Sequence, residues 1–353
     1  MVILITGGCG FVGSSIALNL KHNYPSYRII AFDNLHRRGS ELNMNRILKE
    51  GIEFVHGDIR IIEDLKRIPG ADVIIEASAE PSVLAGIGST PDYTISTNLV
   101  GTINALNYAS IVKANFIFLS TSRVYPINQI DQIKVKEGSK RFIIDETHLF
   151  QGLSRSGINE NFPLEGYRSI YGATKLASEF LIQEYHQYYN IKTIINRCGV
   201  LTGPWQMGKV DQGVVVLWMA KHFWKQSLSY IGFGGKGKQV RDILHIHDLC
   251  RLIDQQIKNP DVFNGHILNV GGGEKNAVSL QELTAYCSAL TGNAIPIEEI
   301  KETRQADIQW YITDNRKVTE LSGWKPEISV EQILDDVYDW IANNSKSLET
   351  ILK

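Results

Sequence analysis

Tyr171 and Lys175 stand four residues apart in the run Ser169-Ile170-Tyr171-Gly172-Ala173-Thr174-Lys175, which continues through Leu176, Phe180, Leu181 and Tyr185. Helical spacing puts both on one face. A phenol with an ordinary pKa of about 10 is a poor base at neutral pH. An ammonium one turn away favours the phenolate, so the pair reads as a general base with its activating cation, suited to taking a proton from a hydroxyl. Any long helix can carry this spacing by chance, so the reading depends on what else the chain brings. Thr121 is a third candidate. It stands in Ser120-Thr121-Ser122, at the end of the apolar run Asn115-Phe116-Ile117-Phe118-Leu119. Hydroxyls at the carboxyl end of a parallel strand sit in the crevice where open α/β sheets bind ligands. There Thr121 could exchange a hydrogen bond with a substrate hydroxyl beside Tyr171, or simply cap the following turn.

The elements that would position these residues begin at the first strand. Val2 to Ile5 is apolar and β-branched, and Thr6-Gly7-Gly8-Cys9-Gly10-Phe11-Val12-Gly13 leads from it into an amphipathic stretch with Ile16, Ala17 and Leu20. Strand, glycine turn and helix make a phosphate cradle: Gly7 allows the tight turn, Gly10 the approach of a pyrophosphate, and Gly13 helix-on-strand packing. A second strand, Arg28-Ile29-Ile30-Ala31-Phe32, ends in Asp33. That carboxylate lies about 20 residues beyond the glycines, where the adenosine ribose hydroxyls of a dinucleotide are held. Asp33 also repels a 2′-phosphate and so favours NAD over NADP, whereas Arg37 and Arg38 just beyond it could accept that phosphate. Asp58, after the strand Ile52-Glu53-Phe54-Val55, is placed to receive an adenine amino group or to serve as a plain turn residue. Val73-Ile74-Ile75-Glu76-Ala77-Ser78 is a fourth buried strand ending in small residues that let a cofactor pass. A helical run from Asp92 to Lys113 carries Asn98.

Size and composition agree with an ordinary soluble globular protein. The 353 residues, 43% hydrophobic and 21% charged, suffice for two packed units. A formal charge of 36 minus 38, or -2, supplies no basic field for nucleic acid or anionic lipid. No apolar run approaches the roughly 20 residues of a membrane span, and Met1 to Thr6 enters the glycine turn without a basic leader. The expectation is a cytoplasmic protein. Its four cysteines, Cys9, Cys198, Cys250 and Cys287, are scattered, read as reduced thiols, and suggest no metal site. A polar, irregular segment from Tyr125 to Tyr171 reads as a substrate-covering loop. Asp211-Gln212-Gly213 then opens an apolar helix. Gly234-Gly235-Lys236-Gly237-Lys238-Gln239-Val240-Arg241-Asp242 forms a basic glycine loop in which Arg241 presents a fork suited to a diphosphate, or which is a solvated hairpin tip. Ser279 is placed to cap a helix, Arg304 and Asp307 precede Trp310-Tyr311-Ile312, and a last helix spans Val330 to Asn343.

Together these residues resemble the extended short-chain dehydrogenase/reductase family of nucleotide-sugar epimerases and dehydratases, over nearly the whole chain. The stretches Phe32-Asp33-Asn34-Leu35, Arg37-Arg38-Gly39-Ser40-Glu41-Leu42-Asn43, His56-Gly57-Asp58-Ile59-Arg60, Asp211-Gln212-Gly213, Gly237 to Asp242 and Asn269-Val270-Gly271-Gly272-Gly273 through Leu280 look most like its CDP-paratose 2-epimerase (CDP-tyvelose epimerase) subgroup. The resemblance implies a Rossmann-type doubly wound parallel sheet over residues 1–197, rejoined by 240–260. It also implies a smaller mixed α/β nucleotide-sugar-binding unit from 198–239 and 261–353. Tyr171 would be the base, Lys175 would hold the nicotinamide ribose, and Thr121 would bond the reacting hydroxyl. Gly7, Gly10, Phe11, Val12, Asp33, Asn34, Asp58, Ile59, Ala77 and Asn98 would line tightly held NAD. Gln212, Arg241, Arg304 and Asp307 would meet a nucleotide-diphosphate sugar.

The implied reaction removes hydride from a sugar carbon, C2 in that subgroup, and returns it to the opposite face of the keto sugar. A 4-epimerase uses the same three residues. A 4,6-dehydratase usually has Asp-Glu after the threonine where this chain has Ser122-Arg123, and a catalytically silent NAD-sensing or scaffold protein typically loses the Tyr or Lys. Family members also suggest a homodimer or homotetramer. Around the sugar pocket this chain departs from the subgroup: Leu164-Glu165-Gly166-Tyr167-Arg168 precedes Ser169-Ile170, Cys198-Gly199-Val200-Leu201-Thr202 replaces a stretch usually ending in Tyr-Gly, and Val214 stands where a Trp is common.

Overall fold

The computed structural model describes residues 1–86, 88, 90–208 and 212–353, so Asp211 of the Asp211-Gln212-Gly213 motif lies outside the described residues. Short β-branched runs that must be buried on both faces form one parallel sheet. Its strand order is Ile267–Val270, Thr193–Cys198, Asn115–Thr121, Val73–Glu76, Val2–Thr6, Arg28–Asp33, Glu53–His56. The order reverses between Val2–Thr6 and Val73–Glu76, which opens a crevice at their carboxyl ends. Alternate residues feed two cores. Ile3, Ile5, Ile75 and Ile117 pack with Ile16, Ala17 and Leu20 of helix Phe11–Asn23 and with Leu249 and Ile253 of helix Ile246–Lys258. Leu4, Ile74, Phe116 and Phe118 pack with Ala105, Leu106 and Ile182. This is the Rossmann-type doubly wound fold. The helical run carrying Asn98 is interrupted by a π-helical turn at Ser96–Val100 before helix Gly101–Val112.

The smaller unit is built on Val240–His245, paired in parallel with Val200–Thr202 and Trp310–Tyr311 and antiparallel with Ala277–Ser279. Helices Val214–Phe223, Leu280–Thr291 and Val330–Asn343 cover it around Val216, Leu283, Ile333 and Val337. Ser279 caps the second of these in a reciprocal capping box with Glu282. The crossing segments differ from the expected 240–260. Strand Val240–His245 belongs to the small sheet, helix Ile246–Lys258 returns to the large one, and Ile267–Val270 forms the large sheet's edge. Apolar strands buried in either sheet share one pattern, so periodicity does not distinguish their hosts.

The segment between Tyr125 and Tyr171 is not an irregular loop. It holds two small hairpins, Val135–Glu137 with Phe142–Ile144 and Leu153–Ser154 with Gly157–Ile158. Ile130, Phe142, Ile158 and Phe162 form a core of their own with Trp310 and Tyr311 of the small unit. Beneath the crevice, Glu179 receives Arg197 Nη2 at 2.7 Å and its Nε at 3.1 Å, and also accepts from Ser120 Oγ at 2.5 Å. Arg197 Nη1 donates to the Tyr125 hydroxyl at 3.2 Å, which donates to Asn269 at 2.7 Å. This network joins the strand bearing Thr121 to the helix bearing Tyr171.

Candidate active site

Ser169 starts helix Ile170–Tyr189 by accepting from Gly172 N at 3.2 Å, which fixes Tyr171 in its first turn. The helix lies so close to the turn Ser122–Val124 that a Cβ on Gly172 would meet the Arg123 carbonyl at 2.1 Å. Glycine at 172 is therefore what lets Tyr171 approach the strand end carrying Thr121. The phenol is 9% exposed, and burial pushes it up to about 12; the Thr121 hydroxyl and the Arg123 guanidinium pull it down, while Cys198 and Glu80 push the same way as burial. Lys175, from which a lowering was expected, is not among the groups that act on the phenol. Lys175 is itself buried, with Nζ 4.3 Å from the centre of the Phe118 ring, and burial lowers its pKa.

Tyr171, Lys175, Thr121 and Cys198 line a cavity of about 360 Å3 that is also walled by Gly7, Gly10, Phe11, Val12, Ala77 and Gln212. A second cavity of about 340 Å3 shares Gly7, Gly10 and Ala77 and extends to Asp33, Asn34 and Ile59. The glycine turn is thus the waist of one crevice with a carboxylate at one end and the Tyr–Lys pair at the other. Gly7 has φ +64°, and a Cβ there would meet the Ala77 carbonyl at 2.8 Å, so the turn packs this tightly against Ala77 only because position 7 is glycine. Asp33 is anchored by Cys9 N at 3.0 Å and Leu35 N at 2.7 Å. Burial raises its pKa and these amides oppose that. Arg37 and Arg38 line this end, but Arg37 donates to Gln212 Oε1 and to Met207 O, and Arg38 to Thr350 O. These residues fit a dinucleotide without a 2′-phosphate.

Two residues expected at the cofactor are turned to other partners. Asn98 is fully buried, with its amide spent on the Glu80 backbone, accepting from N at 2.8 Å and donating to O at 3.1 Å, and on Thr174. It shapes the loop after Ala77 instead of facing the crevice. Asp58 holds Arg60 at 2.6 Å and accepts from Asn34 Nδ2 at 3.1 Å, and the Arg60 hydrogen bond keeps its carboxyl well below the usual range. Ile59 and Asn34 form the wall there, and Asp58 fixes Asn34. Sequence reasoning misses these uses because a side chain bonded to backbone looks like one free to bind.

A third cavity of about 620 Å3 adjoins the first through Gln212, Gly213, Arg123 and Val200 and carries Lys221, Arg241, Arg304 and Asp307. Arg241 donates to Asp307 at 3.0 Å and to Ile308 O at 2.6 Å; burial lowers its pKa to about 10. Four cations against one carboxylate give this chamber a positively charged lining suited to an anion. Gln212, expected at the substrate, stands at the junction, donating to Glu80 at 3.1 Å and accepting from Arg37. Arg123, also at the junction and donating to Ala306 O at 3.2 Å, is a functional candidate the sequence reading passes over; its position two residues after Thr121 was the available signal. A further cavity of about 760 Å3, lined by Ile127, Tyr167 and Ile170, lies on the other side of the Arg304 to Asp307 loop. Among the described residues no cluster of metal-ligating side chains occurs, and no helix is long and apolar enough to cross a membrane.

Comparison with known proteins agrees with this geometry. Residues 3–271 match the model of the NAD dependent epimerase/dehydratase family. The CDP-paratose 2-epimerase of Salmonella typhi is 29% identical, with 97% of this chain and 100% of that protein covered. A putative UDP-glucose 4-epimerase of Methanocaldococcus jannaschii is 28% identical over 98% of this chain and 100% of its own length. Among solved structures, Bacillus cereus UDP-glucuronic acid 4-epimerase, in complex with UDP-glucuronic acid and NAD, superposes with a TM-score of 0.80 at 23% identity, covering 97% of this chain and 99% of that one.

Proposed function

The chain belongs to the NAD-dependent epimerase/dehydratase family, with NAD as its cofactor, and from that premise we propose that it inverts one carbon of a nucleotide-diphosphate sugar by transient oxidation to a keto sugar. The observation that carries this reading is the junction of a Tyr171–Lys175–Thr121 cavity, walled by the glycine turn, with a chamber of three arginines and a lysine. Such an arrangement holds a diphosphate by charge and leaves the attached sugar beside the phenol. When bound, NAD supplies the acceptor and later the donor of hydride, and its positive nicotinamide ring adds to the charge that favours a phenolate. Tyr171 takes the proton of the sugar hydroxyl and gives it back; Thr121 orients that hydroxyl; Lys175 holds the nicotinamide ribose; Arg241 and Arg304 meet the diphosphate. Asp33 binds the adenosine ribose, and Asp33→Ala is expected to weaken NAD binding by about 10- to 100-fold, the worth of a charged hydrogen bond, in equilibrium dialysis.

Inversion at C2, of the kind named for the Salmonella typhi relative, is the regiochemistry we favour. Elimination of water is disfavoured because Thr121 is followed by Ser122-Arg123, which supply no carboxyl acid or base. Exposed Ile111, Phe180 and Tyr188 on the helices Gly101–Val112 and Ile170–Tyr189 support pairing of those helices in a homodimer. The test is to denature the purified protein and identify the released nucleotide, then follow CDP-, UDP-, GDP- and dTDP-sugars by NMR in deuterated water. Released NAD with an inverted centre free of deuterium is the expected result. Deuterium at that carbon would show proton exchange and sink the mechanism; inversion at C4 would correct the regiochemistry.

A further inference from the structure

Glu76 is a buried carboxyl that the proposed reaction leaves unused. It ends the strand Val73–Glu76, is 0% exposed, and accepts from Thr102 Oγ1 at 2.9 Å on one oxygen, while Oε1 has no hydrogen-bond partner. Its register partner on the neighbouring strand is Phe118. Parallel neighbours in register point to the same face of a sheet, so Glu76 and Phe118 stand side by side on the face covered by the helices Gly101–Val112 and Ile170–Tyr189. The Lys175 ammonium lies 4.3 Å from the centre of that same Phe118 ring. An unpartnered buried oxygen and a buried ammonium thus flank one aromatic side chain.

An ammonium in such a place stays charged only if an anion offsets its lost hydration. The groups acting on Lys175 are Glu76 from the central strand, the Cys198 thiol from the strand Thr193–Cys198, and Glu179 from its own helix, in that order. Burial pushes the Cys198 thiol up to about 12, so it carries no charge at neutral pH. Glu179 is committed to Arg197 and Ser120. Burial raises Glu76 while Lys175 and Thr102 pull it back toward the charged form, and the balance leaves it at about 7. We propose that Glu76 is the positioning residue for Lys175: its carboxylate is the counter-charge that keeps this ammonium protonated and seated against Phe118, facing the cofactor crevice. The inference rests on the role given to Lys175 above and adds the group through which that role is maintained.

The consequence has a definite sign. Removing a nearby anion makes the ammonium easier to deprotonate, so the Lys175 midpoint moves to lower pH. Glu76→Gln keeps the shape and the Thr102 partner but removes the charge. In protein carrying 13Cε-labelled lysine, with the resonance assigned by Lys175→Arg, the Lys175 midpoint is expected to fall by about one pH unit or more in Glu76→Gln, a tenfold change. The alkaline limb of kcat should move acidward by the same amount, and Glu76→Asp should restore part of both. An unmoved Lys175 midpoint overturns the proposal, as does a loss of thermal stability or NAD content in Glu76→Gln with the midpoint and alkaline limb in place. If the natural protein turns over no nucleotide sugar, the epimerase reading fails, and the lysine titration still decides whether Glu76 and Lys175 are coupled.

Discussion

Replacing Tyr171 with Phe removes one oxygen from the wall of the crevice and is expected to lower kcat by about 10²- to 10⁴-fold, the usual contribution of a positioned acid–base group, with bound NAD unchanged. The ring remains to fill its place between Thr121 and Lys175, and none of the cradle residues at Gly7, Gly10 or Asp33 touches the hydroxyl's role. The natural protein should also show a rate that rises with pH across the neutral range. Burial pushes the phenol up to about 12 against the pull of Thr121 and Arg123, so the proton-accepting form is scarce at pH 7 and grows as pH rises. That gain ends where Lys175 loses its proton, because burial lowers the lysine as it raises the tyrosine. In Tyr171→Phe the rising limb should vanish along with the turnover. Turnover within tenfold of the natural protein, or a preserved rising limb, would place the base elsewhere.

How much of this was legible in the sequence depends on whether a residue's task is local. The glycine turn, the Asp33 strand end and the Tyr171–Lys175 spacing are written in consecutive residues, and each predicted element formed: strand Val2–Thr6, helix Phe11–Asn23, strand Arg28–Asp33, helix Ile170–Tyr189. The Ser279 cap was equally readable, and the structure adds Glu282 as its reciprocal partner. Tasks set by distant partners were not. Asn98 reads as a polar residue ready for a ligand, and only the fold reveals that the Glu80 backbone consumes its amide. Gln212 joins Arg37 and Glu80, which are far away in sequence. Glu76 sits in an apolar run, where alternation marks it as core and says nothing of the lysine on the helix packed over the same face. The hosts of strands Val240–His245 and Ile267–Val270 were not legible either, because two buried sheets compete for such apolar runs and local pattern does not choose between them.

The second large effect concerns the ion pair under the site. Glu179→Gln leaves the Arg197 guanidinium 3% exposed without its carboxylate, and breaking such a pair costs about 3–5 kcal/mol because the remaining charge is stranded in a medium of low polarizability. Chemical denaturation should therefore show a large drop in unfolding free energy, and heating a clear fall in Tm. The damage should reach turnover as well, since Glu179 also holds Ser120, the residue before Thr121, at 2.5 Å. A double replacement, Glu179→Gln with Arg197→Met, separates the two effects. With both charges gone no ion is stranded, so most of the lost stability should return. The Ser120 hydroxyl can still donate to the glutamine amide oxygen, but the charge-assisted bonds that drew the strand, the helix and Arg197 together are not rebuilt by glutamine and methionine, so turnover should stay low. Recovery of stability without recovery of kcat would show that the pair aligns Thr121 with Tyr171 as well as stabilising the fold. If both recover together, the network acts on activity only through folding.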